Sequence, residues 1–147
     1  MKQKVYFVIG ILFAIAIAWF GIHSLLNQLS PCKNLVKTEL KSPDGKLKAV
    51  VFGRDCGATV SENTEISILS ANDILPNNEG NVFIEDRGYE PDVYLRIDLQ
   101  WLEPRKLIIG YDHRTRIFKQ EQEIQVSTGL LQSEKVSIEY KKLIEPQ

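Results

Sequence analysis

The sequence predicts an all-β domain of about eight strands, an antiparallel sandwich or meander, behind a single N-terminal transmembrane helix. Three observations predict it. Val5 to Ile22 contains no charged or amide side chain, and Lys2 and Lys4 are the only charges before Lys33. From Val36 onward the dominant apolar period is two, as in half-buried strands. Turn signals recur at near-regular spacing there, with no helical period. The expected organisation is a membrane anchor over 1–30 and an extracytoplasmic β domain over 31–147. Roughly 110 residues suffice to bury one ordinary core.

At ~1.5 Å per residue, the run from Val5 to Ile22 makes roughly 27 Å of helix, near the ~30 Å hydrocarbon thickness of a bilayer. Ile22, Leu25, Leu26 and Leu29 fall at i, i+3, i+4 and i+7, which carries the helix to about Leu29. Pro31 then ends it. Trp19 lies towards the outer end, where interface aromatics sit. A cleaved signal peptide needs a shorter apolar core and a small-x-small site, and Ile22-His23-Ser24-Leu25-Leu26 offers none. Leu29-Ser30-Pro31-Cys32 imitates a lipoprotein signal, but Pro31 stands where a small residue belongs, and the apolar core ends well before Cys32. The expectation is an uncleaved anchor in contact with the membrane through residues 5–29. Lys2 and Lys4 keep the N-terminus cytoplasmic and put the domain outside, although Lys33, Lys37 and Lys41 weigh against that asymmetry.

In the domain, Val36, Thr38 and Leu40 alternate with polar neighbours. Ser42-Pro43-Asp44-Gly45 is a turn signal. Lys46 to Phe52 ends on Val50, Val51 and Phe52, the pattern of a strand covered on both faces. These two runs form a hairpin. Thr64–Leu69 is the next strand, Asn72–Asn81 a loop rich in Asn, Pro and Gly, and Asn81–Glu85 a short strand. Asp92–Trp101 has the clearest alternation, with Val93, Leu95, Ile97, Leu99 and Trp101 on one face. Glu103-Pro104-Arg105 turns it into Lys106–Tyr111. Strands follow at Thr115–Lys119, Glu123–Ser127 and Lys135–Tyr140, with Gly129 in the last bend.

The formal charge of −1 becomes about −3 once the two N-terminal lysines are set aside. A mildly acidic domain without clustered Lys and Arg has no electrostatic footprint for nucleic acid. Cys32 and Cys56 are the only cysteines. An even count in an oxidising compartment suggests one disulfide. If Val36–Lys41 pairs with Lys46–Phe52 through the Ser42–Gly45 turn, the positions flanking that hairpin lie near one another, and a bridge needs Cα atoms roughly 4.4–6.8 Å apart.

Ser42-Pro43-Asp44-Gly45-Lys46, Lys48-Ala49-Val50-Val51-Phe52 and Arg54-Asp55-Cys56-Gly57-Ala58-Thr59 stand in close succession. They resemble an uncharacterised family of small bacterial envelope proteins that carry SPDGK…KAVVF…RDCGAT after an N-terminal membrane segment. The likeness continues through Ser67-Ile68-Leu69, Gly80-Asn81-Val82-Phe83, Trp101-Leu102, Leu107 to Tyr111 and Arg116-Ile117-Phe118. The resemblance extends to a cysteine before the first strand, here Cys32, which favours its pairing with Cys56. It implies an envelope location and brings no activity with it; with the anchor read above, the expectation is a single-pass protein of the bacterial cytoplasmic membrane.

Three segments are candidate sites. Arg54 and Asp55 present charge beside the bridge, or serve only the architecture around Cys56 and Gly57. Asp112 and His113 pair an acid with a group that titrates near neutrality. Strand neighbours point to opposite faces, so Asp112 is not expected to orient His113, and neither is expected to matter much to the fold. Glu85, Asp86, Glu90 and Asp92 surround a turn, but Arg87 opposes a cation and the spacing is not that of a calcium loop. Tyr89 and Tyr94 mark a contact surface, since aromatics are enriched at interfaces. No cofactor is expected. Two thiols are too few for zinc, His23 and His113 lack ligand spacing, and no nucleophile stands in a recognisable context. These readings favour a non-catalytic binding module, its partner another envelope protein. An envelope hydrolase centred on Asp55, Asp112 or His113 is the alternative. A structural subunit, with Gly10 and Gly21 packing against other helices, is the third.

Overall fold

The computed structural model describes residues 2–28, 32–57, 62–86 and 96–144. The chain divides into two compact units, Met1–Pro31 and Cys32–Gln147. The first holds one helix, α1 (Lys2–Gln28). Its described side chains are those of 6, 10–22 and 24, and all are exposed, with Trp19 and Phe20 at 74% and 79%. Among the residues so described, no helix is long and apolar enough to cross a membrane. That stretch is shorter than the charge-free run the sequence presents from Val5 to Ile22.

The second unit is all-β. Its strands are β1 (Lys33–Lys41), β2 (Leu47–Asp55), β3 (Asn63–Ser70), β4 (Phe83–Asp86), β5 (Ile97–Glu103), β6 (Lys106–Asp112), β7 (Arg116–Gln120), β8 (Glu123–Gly129) and β9 (Gln132–Leu143). They form a five-stranded sheet in the order β1-β2-β3-β4-β7 and a four-stranded sheet in the order β5-β6-β9-β8. The β1–β2 hairpin turns at Ser42–Lys46. Ser42 Oγ donates to Asp44 Oδ1 at 2.7 Å, and Gly45 takes φ 69°. A residue with a Cβ reaches that conformation only at a cost.

One pairing departs from the antiparallel expectation: β6 and β9 run parallel. The chain leaves β6 for β7, in the other sheet, and returns through β8 before β9 lies down beside β6. Twelve residues make β9 long enough to pair with β8 on one side and β6 on the other. The domain is therefore a two-sheet structure with crossovers, not a meander. Both sheets contribute to one core. Leu47, Val51, Ile66, Ile68 and Phe83 meet Leu107, Ile109, Tyr111, Val136 and Ile138 there. Ile97, Leu99 and Trp101 share the core-facing side of β5, as their alternation predicts, while Asp98 and Gln100 are exposed. Trp101 Nε1 donates to Leu40 O at 3.1 Å and ties β5 to β1 across the sheets.

The centre of β2 is buried on both faces, from Leu47 to Gly53. Leu47, Ala49 and Val51 face the shared core, whereas Val50 and Phe52, both 0% exposed, are outside it. The 71–82 loop supplies the second cover, as a strap fastened to the outward-facing groups of the sheet. Asn34 Nδ2 donates to Pro76 O and Asn78 O at 2.9 and 2.7 Å. Gly80 N donates to Glu65 Oε2 at 2.5 Å, and Asn81 N to Ser67 Oγ at 3.2 Å. A Cβ on Gly80 would stand 2.9 Å from Phe83 O and 3.0 Å from Ile66 O, so only glycine permits this approach.

Candidate functional site

The predicted disulfide is present. Cys32 and Cys56 are bonded, with Cα atoms 3.8 Å apart, nearer than the roughly 4.4–6.8 Å expected. The β1–β2 register places them, because Lys33 faces Asp55 across the hairpin and the cysteines are the next residues outward. Asn77 Nδ2 donates to Cys32 O at 2.9 Å, so the strap also holds the bridged end.

Of the four residues predicted as a contact surface, Arg54 serves the architecture. Its Nη1 donates to Asn34 Oδ1 at 2.7 Å, orienting the same Asn34 amide that grips the strap. Asp55 is exposed and accepts from Gly57 N at 2.9 Å, closing a turn in which Gly57 takes φ 106°. Tyr89 and Tyr94 lie outside the described residues, as do Glu90 and Asp92 of the carboxylate turn. Asp86 and Glu85 of that turn are buried. Asp86 is paired with Arg116, and Thr115 Oγ1 stands 2.6 Å from Glu85 Oε2. Among the described residues, no group of three or more His, Cys, Asp or Glu side chains is placed to hold a metal ion.

Asp112 is not organised around His113. Its carboxylate takes Arg114 Nε and Nη2 at 2.9 and 2.7 Å and Arg114 N at 3.0 Å. His113 Nδ1 stands 3.6 Å from Asp112 Oδ1, beyond hydrogen-bond range, and 3.3 Å from Leu143 O. The Arg114 hydrogen bonds hold the Asp112 carboxyl down at about 2. That is the state of a structural anion, not of a base poised near neutrality. The expectation that Asp112 matters little to the fold is corrected. It is 4% exposed, and removing it would leave the Arg114 guanidinium without this partner.

What the sequence did not single out is a groove between β1 and the strap, of about 650 Å³. Leu35, Val36, Ile74 and Leu75 line it together with Asn77 and Lys48. Ile74 is 90% exposed, Leu35 67% and Val36 49%, although each is a large apolar side chain. The charge inside is matched, since Lys48 Nζ stands 3.2 Å from Glu39 Oε1. Among the described strands β1 is also a sheet edge, so one rim of the groove is a strand with one side turned away from the sheet. A single signal pointed here: Ile74-Leu75 is an apolar pair inside an otherwise polar loop. Two further hollows also lie beside edge strands, but the one lined by Gln122, Ser137 and Tyr140 has no exposed large apolar side chain in its lining, and the one lined by Glu79 and Lys119 has a single one, Phe118 on β7. Compared with known protein families, curated proteins and solved structures, the chain matches none.

Proposed function

We propose that this protein is a non-catalytic binding module, held by its N-terminal helix in the bacterial cytoplasmic membrane and displayed on the outer side. Its contact surface is the edge of β1 with the groove under the strap, and its partner is an extended segment of another envelope protein. The observation that carries the reading is the exposure of Leu35, Val36 and Ile74 around a groove beside β1, the edge of the sheet among the described strands. Main-chain pairing to such an edge supplies affinity, and side-chain pockets beside it supply specificity. The anchor is supported by the charge-free run from Val5 to Ile22 and by a helix whose described side chains are all exposed. The Cys32–Cys56 bond supports an oxidising location and leaves no Cys32 thiol for a lipid. The hydrolase alternative loses support where Asp112 turns to Arg114.

Site-specific photo-crosslinking in intact membranes tests the surface. A photoreactive residue at Val36 or Ile74 is expected to give one discrete adduct common to both positions, with none from Gln125 on β8. No adduct, or equal labelling from Gln125, contradicts the proposal. Intact-mass measurement of membrane-extracted protein tests the anchor. A chain starting near residue 25, or a lipid on Cys32, contradicts it.

A further inference from the structure

Glu85 is a buried carboxyl group. It lies on β4, opposite Thr64 on β3 and Ile117 on β7, and is 0% exposed. Among the described residues its Oε1 has no hydrogen-bond partner. Its Oε2 is 2.6 Å from Thr115 Oγ1, in the turn between β6 and β7, and that same hydroxyl is 3.3 Å from Asp86 O. A threonine hydroxyl carries one hydrogen and two lone pairs. It cannot donate fully to both acceptors. Were Glu85 ionised, the hydroxyl's one hydrogen would be shared and a charged oxygen would be left bare in the interior. With a proton on Oε2 the count closes: Glu85 donates to Thr115, Thr115 donates to Asp86 O, and only a neutral oxygen is unpaired.

Among the described residues, the charged groups around it do not supply a counter-ion. On its own strand Asp86 is paired with Arg116. From the end of β6, Asp112 is paired with Arg114, and His113 beside it is exposed. From β1, Lys37 pulls towards ionisation, but its Nζ is 2.6 Å from Glu62 Oε1. β2 offers Gly53 and β3 offers Thr64 at this end, and neither is charged. Burial, with Asp112 and Asp86 adding to it, outweighs the Thr115 hydrogen bond and Lys37, which both favour the ionised form, and pushes the carboxyl up to about 7.

We infer that Glu85 is a proton-operated latch: protonated, it fastens the 112–116 turn to β4 through Thr115, and on losing the proton it releases that turn. Loss of the proton leaves a carboxylate that must reach water, and the short turn is the element that can give way. The device needs no ligand. It makes this end of the domain firmer in mildly acidic surroundings and looser in alkaline ones.

The test uses the full chain in detergent micelles, with glutamate side chains ¹³C-labelled. The assigned Glu85 carboxyl resonance is expected to titrate above pH 6. Amide exchange at Arg114 and Thr115, corrected for its intrinsic pH dependence, is expected to rise about tenfold from pH 6 to 8. In Glu85→Gln, a neutral isostere, that rise is expected to vanish. A Glu85 resonance titrating below pH 5.5 overturns the inference, and so does an exchange rise that persists in Glu85→Gln. If the variant fails to fold, the wild-type titration and exchange decide it: a high titration without an exchange rise also overturns the latch.

Discussion

The outer faces of the two sheets differ. On the four-stranded sheet β5 and β8 alternate in burial along their length, with Gln100 and Gln125 open to solvent. On the five-stranded sheet β2 is buried on both faces, and Phe52 and Val50 are as inaccessible as the shared core. The first face is finished by water. The second is finished by a polar loop whose Asn34, Glu65 and Ser67 fastenings turn a solvent face into a second, smaller core. A sheet face becomes interior through what is laid on it, and the cover need not itself be apolar.

Substitutions on the two faces should separate accordingly. Phe52→Ala is expected to cost about 3–5 kcal/mol in urea unfolding of the full chain in micelles, whereas Gln125→Ala stays within about 0.5 kcal/mol. Equal effects would erase the distinction. Replacing both Cys32 and Cys56 by Ser is expected to cost roughly 2–5 kcal/mol, because the bridge closes the hairpin on which the strap is fastened. Non-reducing peptide mapping of the protein isolated without reductant checks the bond itself, and two free thiols would refute it.

The pH dependence of stability sharpens the comparison at the end where Glu85 and Asp112 lie, since the two groups act with opposite sign. Glu85 is raised from 4.5 to about 7, so the folded chain binds the extra proton between these values. Stability therefore falls as pH rises from about 4.5 to 7, by on the order of 3 kcal/mol from this group. Asp112 is lowered from 3.8 to about 2, and its contribution is present above pH 4 and lost as pH falls through 2. The unfolding midpoint should peak near pH 4–5, and Glu85→Gln should flatten the descent above that. A midpoint that climbs steadily from pH 5 to 8 contradicts this. The smallest effect is expected from His113→Ala, within about 0.5 kcal/mol, because that ring is exposed.

Much of this fold was legible. The SPDGK turn, the register that sets Cys32 beside Cys56, and the Ile97–Trp101 alternation follow from local rules of turn chemistry and strand period. The run Val50-Val51-Phe52 announced cover on both faces, yet nothing in it said what the cover was. The strap is made by amide side chains reaching backbone carbonyls more than forty residues away, and no periodicity records that. The β6–β9 pairing is likewise non-local. The groove was hardly legible, since only Ile74-Leu75 hinted at it, and Arg54 was singled out for its charge when its work is to orient Asn34. Asp112 was read through its neighbour His113, but the partner that matters is Arg114, two residues on across the turn.

The strap as the seal of a second core is tested most directly by a double-mutant cycle between Asn34→Ala, which unfastens it, and Phe52→Ala, which empties what it covers. Each is measured by urea unfolding. If the strap seals Phe52, the cost of Phe52→Ala shrinks by about 1 kcal/mol or more once Asn34 is gone, because the side chain is then already open to water. Strict additivity of the two changes would show that Phe52 is buried without the strap, and would contradict the account.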